Sequence, residues 1–436
     1  MRAKFLHMAD CHLGFRQYNL RERFNDFGRV FFAVIEKAIA ERVDFVLLAG
    51  DLFHKRSIDA LTLNQAVAGL ERLQRAGIPC LAVEGNHEHA YVDEVYGWMK
   101  FLALRHLIVL LDAEFEEGKP HLTPYEQRAG SYIDPLPGLR VHGLRYFGSG
   151  TARAITAYAA ALDDLPADGV EYTVFMTHAG IEGEVADMSG LSMAEWSPLR
   201  GKTDYVALGH IHKPFSREEW LYNPGSLETC SAAEAVWSER GYYLVEVDTA
   251  RDGHKHVATL HPAKRRPFVR LSLKTDLIET PDALYDQARQ LMTRRARDLG
   301  VARLGPDERP VVDLQLFGVL QFERAVLELG KLEEMVQEIF DPLHPMIRNH
   351  TTSNELPIGA GESISRSQLE REVLADFFHR DGRFSGHSRA WARTALSLKA
   401  LALDGAAPEA VLDDLETRMA QITPDGTEGD NANPVG

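Results

Sequence analysis

Five short apolar runs, each ending abruptly in Gly, Asp, Asn or His, constrain this chain more than any other feature. They are KFLHMADCH (4–12), DFVLLAGDLFH (44–54), IPCLAVEGNHEH (78–89), YTVFMTHAG (172–180) and DYVALGHIH (204–212). Apolar runs of this length between turn signals fit strands buried on both faces. Between the early runs lie helical patterns. Residues 21–42 place Phe24, Phe27, Phe31, Val34, Ile35 and Ala38 at three- and four-residue spacing, and residues 61–76 do the same with Leu63, Ala66, Val67, Leu70 and Leu73. Strand–helix–strand alternation predicts an α/β fold with a largely parallel sheet. Ligands bind at the carboxyl ends of strands in such sheets, so the five polar clusters are expected to meet at one sheet edge.

A lone His on an apolar strand is usually a packed core residue. Seven polar groups at five strand ends are different: Asp10, His12, Asp51, Asn86, His178, His210 and His212. Burying them unpaired is costly, and a shared metal site removes that cost. Mixed oxygen and imidazole donors suit Mn, Fe, Zn or Co. Seven donors exceed one four-coordinate site and fit two metals roughly 3.5–4 Å apart, with Asp51, central in chain order, as the natural bridge. In an extended strand side chains alternate, so Asp10 and His12 are expected to point one way and Cys11 the other, as a small packed residue. Cys80 reads as a packed strand residue and Cys230 as a loop residue. The three cysteines form no CxxC pair, which argues for a reducing compartment.

Asp-x-His, Gly-Asp, Gly-Asn-His-Glu, an isolated His after a strand and Gly-His-x-His, in that order, resemble the calcineurin-like metallophosphoesterase superfamily. Finer features resemble its SbcD-type DNA double-strand-break repair nucleases: HMADCHLGFRQYN, DFVLLAGDLFHKR, VEGNHE, VALGHIHKP, YNPGSLE and ERGYYLVEVD. The resemblance covers most of residues 1–270 and implies a metallophosphoesterase-type α/β/β/α sandwich. It implies that Asp10, His12, Asp51 and His212 hold one metal and Asp51, Asn86, His178 and His210 the other, with two Mn²⁺ as the usual ions and other divalent transition metals as substitutes. His54 and His87 are then catalytic. Two metals activate a water for in-line attack on phosphorus, and a nearby imidazole suits protonation of the leaving oxygen. Glu88 is expected either to orient His87 or to be exposed. The loop after the first cluster approaches DNA in this family, making Arg16, Gln17 and Tyr18 candidate DNA contacts.

The expected organisation is a nuclease domain (1–265), a small α/β capping domain (266–348), a linker (349–367), a C-terminal helical partner-binding segment (368–420) and a disordered tail (421–436). The cap is expected to hold a strand at 268–273, a helix at 281–299, a strand at 311–317 and a helix at 329–340. The basic run Lys264-Arg265-Arg266 reads as a solvated linker or a phosphate contact. Apolar stripes Leu369/Val373/Leu374/Phe377/Phe378, Trp391/Ala395/Leu398/Leu401 and Val411/Leu412/Leu415 mark three helices. By resemblance they dock on an SMC-like coiled-coil ATPase of SbcC type; folding back on the catalytic domain is the alternative.

The resemblance implies a Mn-dependent DNA nuclease, a 3′-to-5′ exonuclease and single-strand or hairpin endonuclease that processes double-strand-break ends, and a homodimer. The alternative is another metallophosphoesterase acting on nucleotides or phosphoproteins. Phosphoprotein phosphatases usually carry an Arg close after Gly-Asp, whereas Leu52-Phe53-His54 follows here. An inactive scaffold would lack ligands, and none is missing. With 45% apolar residues and a net charge of -16, bulk charge opposes DNA binding, so the isolated chain is expected to bind DNA weakly. The longest apolar stretch, 101–111, is broken by Arg105 and His106, so no membrane span is expected and the cytoplasm is the expected location.

Overall fold

In the computed structural model the apolar runs do form strands buried on both faces. All residues are described except 89–96, 167, 186–189, 354–365, 382–383, 404–407 and 423–436. β1 (Arg2–Met8), β2 (Phe45–Ala49), β3 (Cys80–Val83) and β4 (Val109–Leu110) lie parallel in that order. Alternate side chains point to opposite faces. Phe5, Phe45, Leu47, Leu81 and Val83 enter one core. Leu6, Met8, Val46, Leu48 and Ala82 enter another, shared with α1 (Arg21–Ala40), α2 (Ala60–Arg75) and α3 (Trp98–Leu104).

The first of these cores is the seam with a second sheet. After a hairpin of β5 (Glu114–Glu116) and β6 (Lys119–His121), the chain builds β7 (Tyr132–Leu136), β8 (Leu139–Leu144), β9 (Tyr172–Thr177), β10 (Tyr205–Ala207), β11 (Phe215–Arg217) and β12 (Leu221–Asn223). Their order is β11-β12-β10-β9-β8-β7. The central four are parallel and the edge strands antiparallel. β13 (Gly241–Asp248) and β14 (His256–Pro262) return to the first sheet, completing β14-β13-β1-β2-β3-β4. α4 (Thr151–Ala161) and α5 (Met193–Trp196) cover the second sheet's outer face through Ile155, Tyr158 and Trp196. The layers run helix, sheet, sheet, helix.

The expectation of a single sheet edge is therefore corrected. The five runs divide, three to one sheet and two to the other. Central strands of both sheets are apolar on both faces, so periodicity carries no sign of which sheet a strand joins.

A third, parallel sheet, β15 (Phe268–Lys274), β16 (Val311–Leu320) and β17 (His344–Ser353), is covered by α6 (Pro281–Leu299) and α7 (Leu329–Phe340) around Leu271, Leu314, Leu284, Met292 and Val336. Thr280 caps α6 by accepting from the Ala283 N–H, with Pro281 in the first turn. The expected linker start at 349 falls inside β17, a polar edge strand that reads as loop. The rest of that linker, 354–365, and the tail from 423 lie outside the described residues.

The basic run is also corrected. Arg266 is 4% exposed. It donates to both Asp26 oxygens (2.6 and 3.0 Å) and to the Arg309 carbonyl (2.6 Å), joining α1 to the third sheet's layer. Arg265 donates to the carbonyls of Trp237, Ser238 and Arg240. Only Lys264 is exposed, and it pairs with Glu308. The run is a buttress, neither a solvated linker nor a phosphate contact.

Residues 355–436 make a separate unit. Within it α8 (Arg366–Arg380), α9 (Ser388–Leu403) and α10 (Pro408–Gln421) pack on one another. Phe384 meets Phe378 and Trp391 edge-on at 5.6 and 5.1 Å, and Ser397 donates to Asp414.

Candidate metal centre

The seven expected ligands meet where the two sheets present their strand carboxyl ends side by side. Asp10 and His12 follow β1, Asp51 follows β2 and Asn86 follows β3 on one sheet; His178 follows β9, and His210 and His212 follow β10 on the other. The strand alternation expected for Asp10 and His12 does not hold. β1 ends at Met8, and Asp10 (φ 51°) and His12 (φ 48°) are left-handed, as are Asp51 (φ 53°) and His210 (φ 78°). Cys11 is nevertheless buried in the helix-side core. Residues with side chains adopt this backbone only where surroundings impose it.

Two glycines explain the motif spelling. A Cβ on Gly85 would sit 2.1 Å from Asp51 Oδ1, and one on Gly50 (φ 85°) 2.4 Å from His178 Nδ1. Gly-Asp and Gly-Asn are therefore close-approach positions, where backbone must pass beside a ligand side chain.

The contacts form two groups that share Asp51. In one, His178 Nδ1 donates to the Ala49 carbonyl (2.8 Å). That leaves His178 Nε2 facing Asn86 Oδ1 at 3.0 Å and Asp51 Oδ2 at 3.3 Å, while His210 Nδ1 also faces Asn86 Oδ1 at 3.0 Å. In the other, His212 Nδ1 donates to Glu234 Oε1 (2.8 Å), leaving Nε2 facing His12 Nε2 at 2.9 Å. Asp51 Oδ2 lies 4.0 Å from His12 Nε2, and Asp10 Oδ1 lies 4.0 Å from His212 Nε2. His12 Nδ1 is buried without a hydrogen-bond partner. Lone pairs gathered this closely require cations, whether protons or metal ions. The donor set thus fits a divalent pair.

The charges agree. Burial pushes the Asp10 carboxyl up to about 6, against the pull of His178 and His212. Burial alone would raise Asp51 as well, but His178 and His12 outweigh it and hold it well below the usual carboxylate range. His178 moves up to about 9, because Asp51 outweighs its burial. His210 falls to about 4 through burial and its neighbour His178. Burial also lowers His12, so His12 and His210 are kept neutral and ready to bind metal, whereas His178 gives up its proton when an ion binds.

His87 stands at the rim with a third of its side chain exposed. Its Nδ1 donates to the His54 carbonyl (2.6 Å), which leaves Nε2 3.9 Å from Asp51 Oδ2. His54 stacks on Phe15 (3.7 Å between centroids) and lies 5.4 Å from the His87 ring, its Nδ1 buried and unpartnered. Burial and the nearby His87 lower it to about 4.

Glu88 takes neither expected role. It is 4% exposed and accepts from the backbone N–H groups of Gly85 (2.9 Å), Phe53 (3.0 Å) and Asp51 (3.1 Å), stitching two ligand loops together. Of the three loop candidates, Gln17 is corrected. It is buried, with its amide accepting from Arg23 Nε (2.9 Å) and donating to the Cys230 carbonyl (2.8 Å), so its side chain braces the loop. Arg16 is exposed and pairs with Asp59 (3.0 Å), an exchangeable exposed pair. Tyr18 stacks on His344 of β17 (4.4 Å). The sequence reading missed Glu234, which orients His212. Its signal was the stretch after YNPGSLE, which carries a Glu among small residues.

Residues 3–214, which contain all seven positions, match the calcineurin-like phosphoesterase family model. The chain is also similar to proteins named DNA double-strand break repair protein Mre11. Identity to the Aeropyrum pernix protein is 33% over 48% of this chain and 49% of that one. For Archaeoglobus fulgidus it is 30% over 53% and 52%, and for Methanococcus maripaludis 45% over 55% and 62%. The chain thus spans about half the length of the first curated relatives it matches. Fold, motif order and family match agree that residues 3–214 form a calcineurin-like phosphoesterase domain.

Proposed function

We propose that this chain is a metal-dependent phosphodiesterase that cuts DNA at double-strand breaks. The observation that carries the reading is the convergence of five strand ends on a seven-donor centre, with His54 and His87 on its rim. Similarity to DNA double-strand break repair proteins supplies the substrate class. Asp10, His12, Asp51 and His212 hold one divalent ion, and Asp51, Asn86, His178 and His210 the other. Mn²⁺ is the proposed ion. Bound there, the pair lowers the pKa of a water and neutralises phosphate charge. The protein does the rest. Glu234 and the Ala49 carbonyl orient His212 and His178. His87 Nε2 holds a proton for the leaving oxygen, with His54 keeping the His87 ring in place. Arg16 and Tyr18 meet the substrate beside the site.

The proposed activities are 3′-to-5′ exonuclease and single-strand or hairpin endonuclease. The proposed partner is an SMC-like ATPase of SbcC type that binds the helical unit α8–α10, with a homodimer as the working form in the cytoplasm. Val373, Phe377, Leu412 and Met419, all exposed on those helices, are available for such docking. No helix among the described residues is long and apolar enough to cross a membrane.

The test is direct. Purified protein with Mn²⁺ is given a labelled duplex, a hairpin and a generic phosphomonoester. Cleavage of both DNAs is expected; cleavage of the ester alone would favour a different metallophosphoesterase. His87→Ala is expected to retain both ions by metal analysis and lose DNA cleavage. Loss of metal instead would make His87 a ligand.

A further inference from the structure

One thiol lies inside this centre. Ligand atoms of His12, His212 and Cys230 lie within 4.8 Å of one another. The His12 and His212 Nε2 atoms face each other at 2.9 Å, a pair that only one proton bridges, and His12, 1% exposed, has a second nitrogen with no partner. The backbone of Cys230 is pinned on both sides. Its N–H donates to Glu234 Oε2 (3.0 Å), and its carbonyl accepts from the Gln17 amide (2.8 Å). Glu234 is in turn fixed by Arg240 and by His212. The sulfur is thus held beside two imidazoles by the same carboxylate that orients one of them. Cys11 and Cys80 are buried in the helix-side core instead.

We propose that Cys230 is an additional ligand at the first metal position, where it recruits a thiophilic divalent ion such as Zn²⁺ or Co²⁺. This rests on the metal-centre reading above. Added to Asp10, Asp51, His12 and His212, a thiolate makes this donor set softer than the purely oxygen-and-imidazole set of the other position. When the ion binds, a metal–sulfur bond forms and the thiol proton leaves to solvent, with no change in oxidation state. The two positions of the pair then differ in chemistry: one tolerates hard ions, the other retains thiophilic ones.

The experiment is a Co²⁺ titration of the chelator-stripped full chain in a thiol-free reductant, following absorbance and proton release. Wild type is expected to show visible cobalt bands plus a near-ultraviolet sulfur-to-cobalt charge-transfer band. Cys230→Ser and Cys230→Ala are expected to keep the visible bands, lose the charge-transfer band and release fewer protons per ion. Visible bands without charge transfer in wild type would overturn the proposal and leave the metal centre standing. A charge-transfer band surviving in both variants would assign the sulfur to another cysteine and overturn it equally. Absence of visible bands in every protein would refute the centre itself and the proposal with it.

Discussion

Glu88→Ala removes the carboxylate that holds the loops after β2 and β3 together. Three backbone N–H groups, from Asp51, Phe53 and Gly85, lose their acceptor. Each unsatisfied buried donor costs about 1–3 kcal/mol. Water entering the vacated space recovers part of this, so a net loss of about 3–5 kcal/mol is expected. That is a large share of the roughly 5–15 kcal/mol of a typical domain, yet the chain is expected to stay folded. Glu88→Gln keeps one acceptor oxygen and turns an NH₂ towards an N–H, so its loss is expected to fall between wild type and Ala. Urea unfolding in the presence of chelator measures this without stabilisation by bound ions. Mn²⁺ calorimetry on the same proteins is expected to show weakened binding, because Asp51 and Asn86 sit on the loosened loops. Stability within about 0.5 kcal/mol of wild type, the range of ordinary surface substitutions, together with unchanged Mn²⁺ affinity, would refute the clamp.

Gly85→Ala drives a methyl into Asp51 Oδ1 and is expected to lower both the melting temperature and the metal content, read by scanning fluorimetry and metal analysis. Asp26→Ala takes from the buried Arg266 guanidinium its carboxylate partner and from Arg23 one of its two, Glu228 remaining. It is expected to cost about 3–5 kcal/mol and to expose the junction near Pro267 to limited proteolysis; an unchanged digestion pattern would count against the buttress. His7, buried between the Tyr205 hydroxyl and the Leu208 carbonyl, is lowered by burial from 6.5 to about 3. Its folded pKa lies below its unfolded one, so the unfolded state takes up the proton first. Stability falls as pH drops below 6.5 towards 3, by at most about 1.4 kcal/mol per pH unit from this residue. Urea unfolding between pH 7 and 5 is expected to show a shallower decline for His7→Gln than for wild type.

How legible each part was follows from its physics. Helices α6 and α7 have the bounds that residues 281–299 and 329–340 suggest, because Pro281, Gly300 and an apolar stripe mark them locally. The metal-centre residues are legible because Gly, Asp, Asn and His at buried strand ends have few bland explanations. The division into two sheets is not, since Phe5 and Val174 look alike in sequence while belonging to different sheets. Edge strands such as β17 are polar and resemble loops. The structural roles of Glu88, Gln17, Glu234 and Cys230 are not legible because they depend on partners distant in sequence: Gln17 meets Cys230 across more than two hundred residues.

The left-handed backbone at Asp10, His12, Asp51 and His210 has an evolutionary reading. An L-residue in that region costs about 1–2 kcal/mol relative to glycine. Glycine would relieve that cost at each of the four positions, most of all at His12 and His210, since Asp tolerates the region better. Stability is surrendered where four donor side chains must enter one small volume from different directions. Consensus or stability-guided redesign would rank these as the most profitable sites to change, and each such change would trade away a donor. Other side-chain residues among those described share this backbone sign, but at these four the cost is borne in one small volume where donors converge.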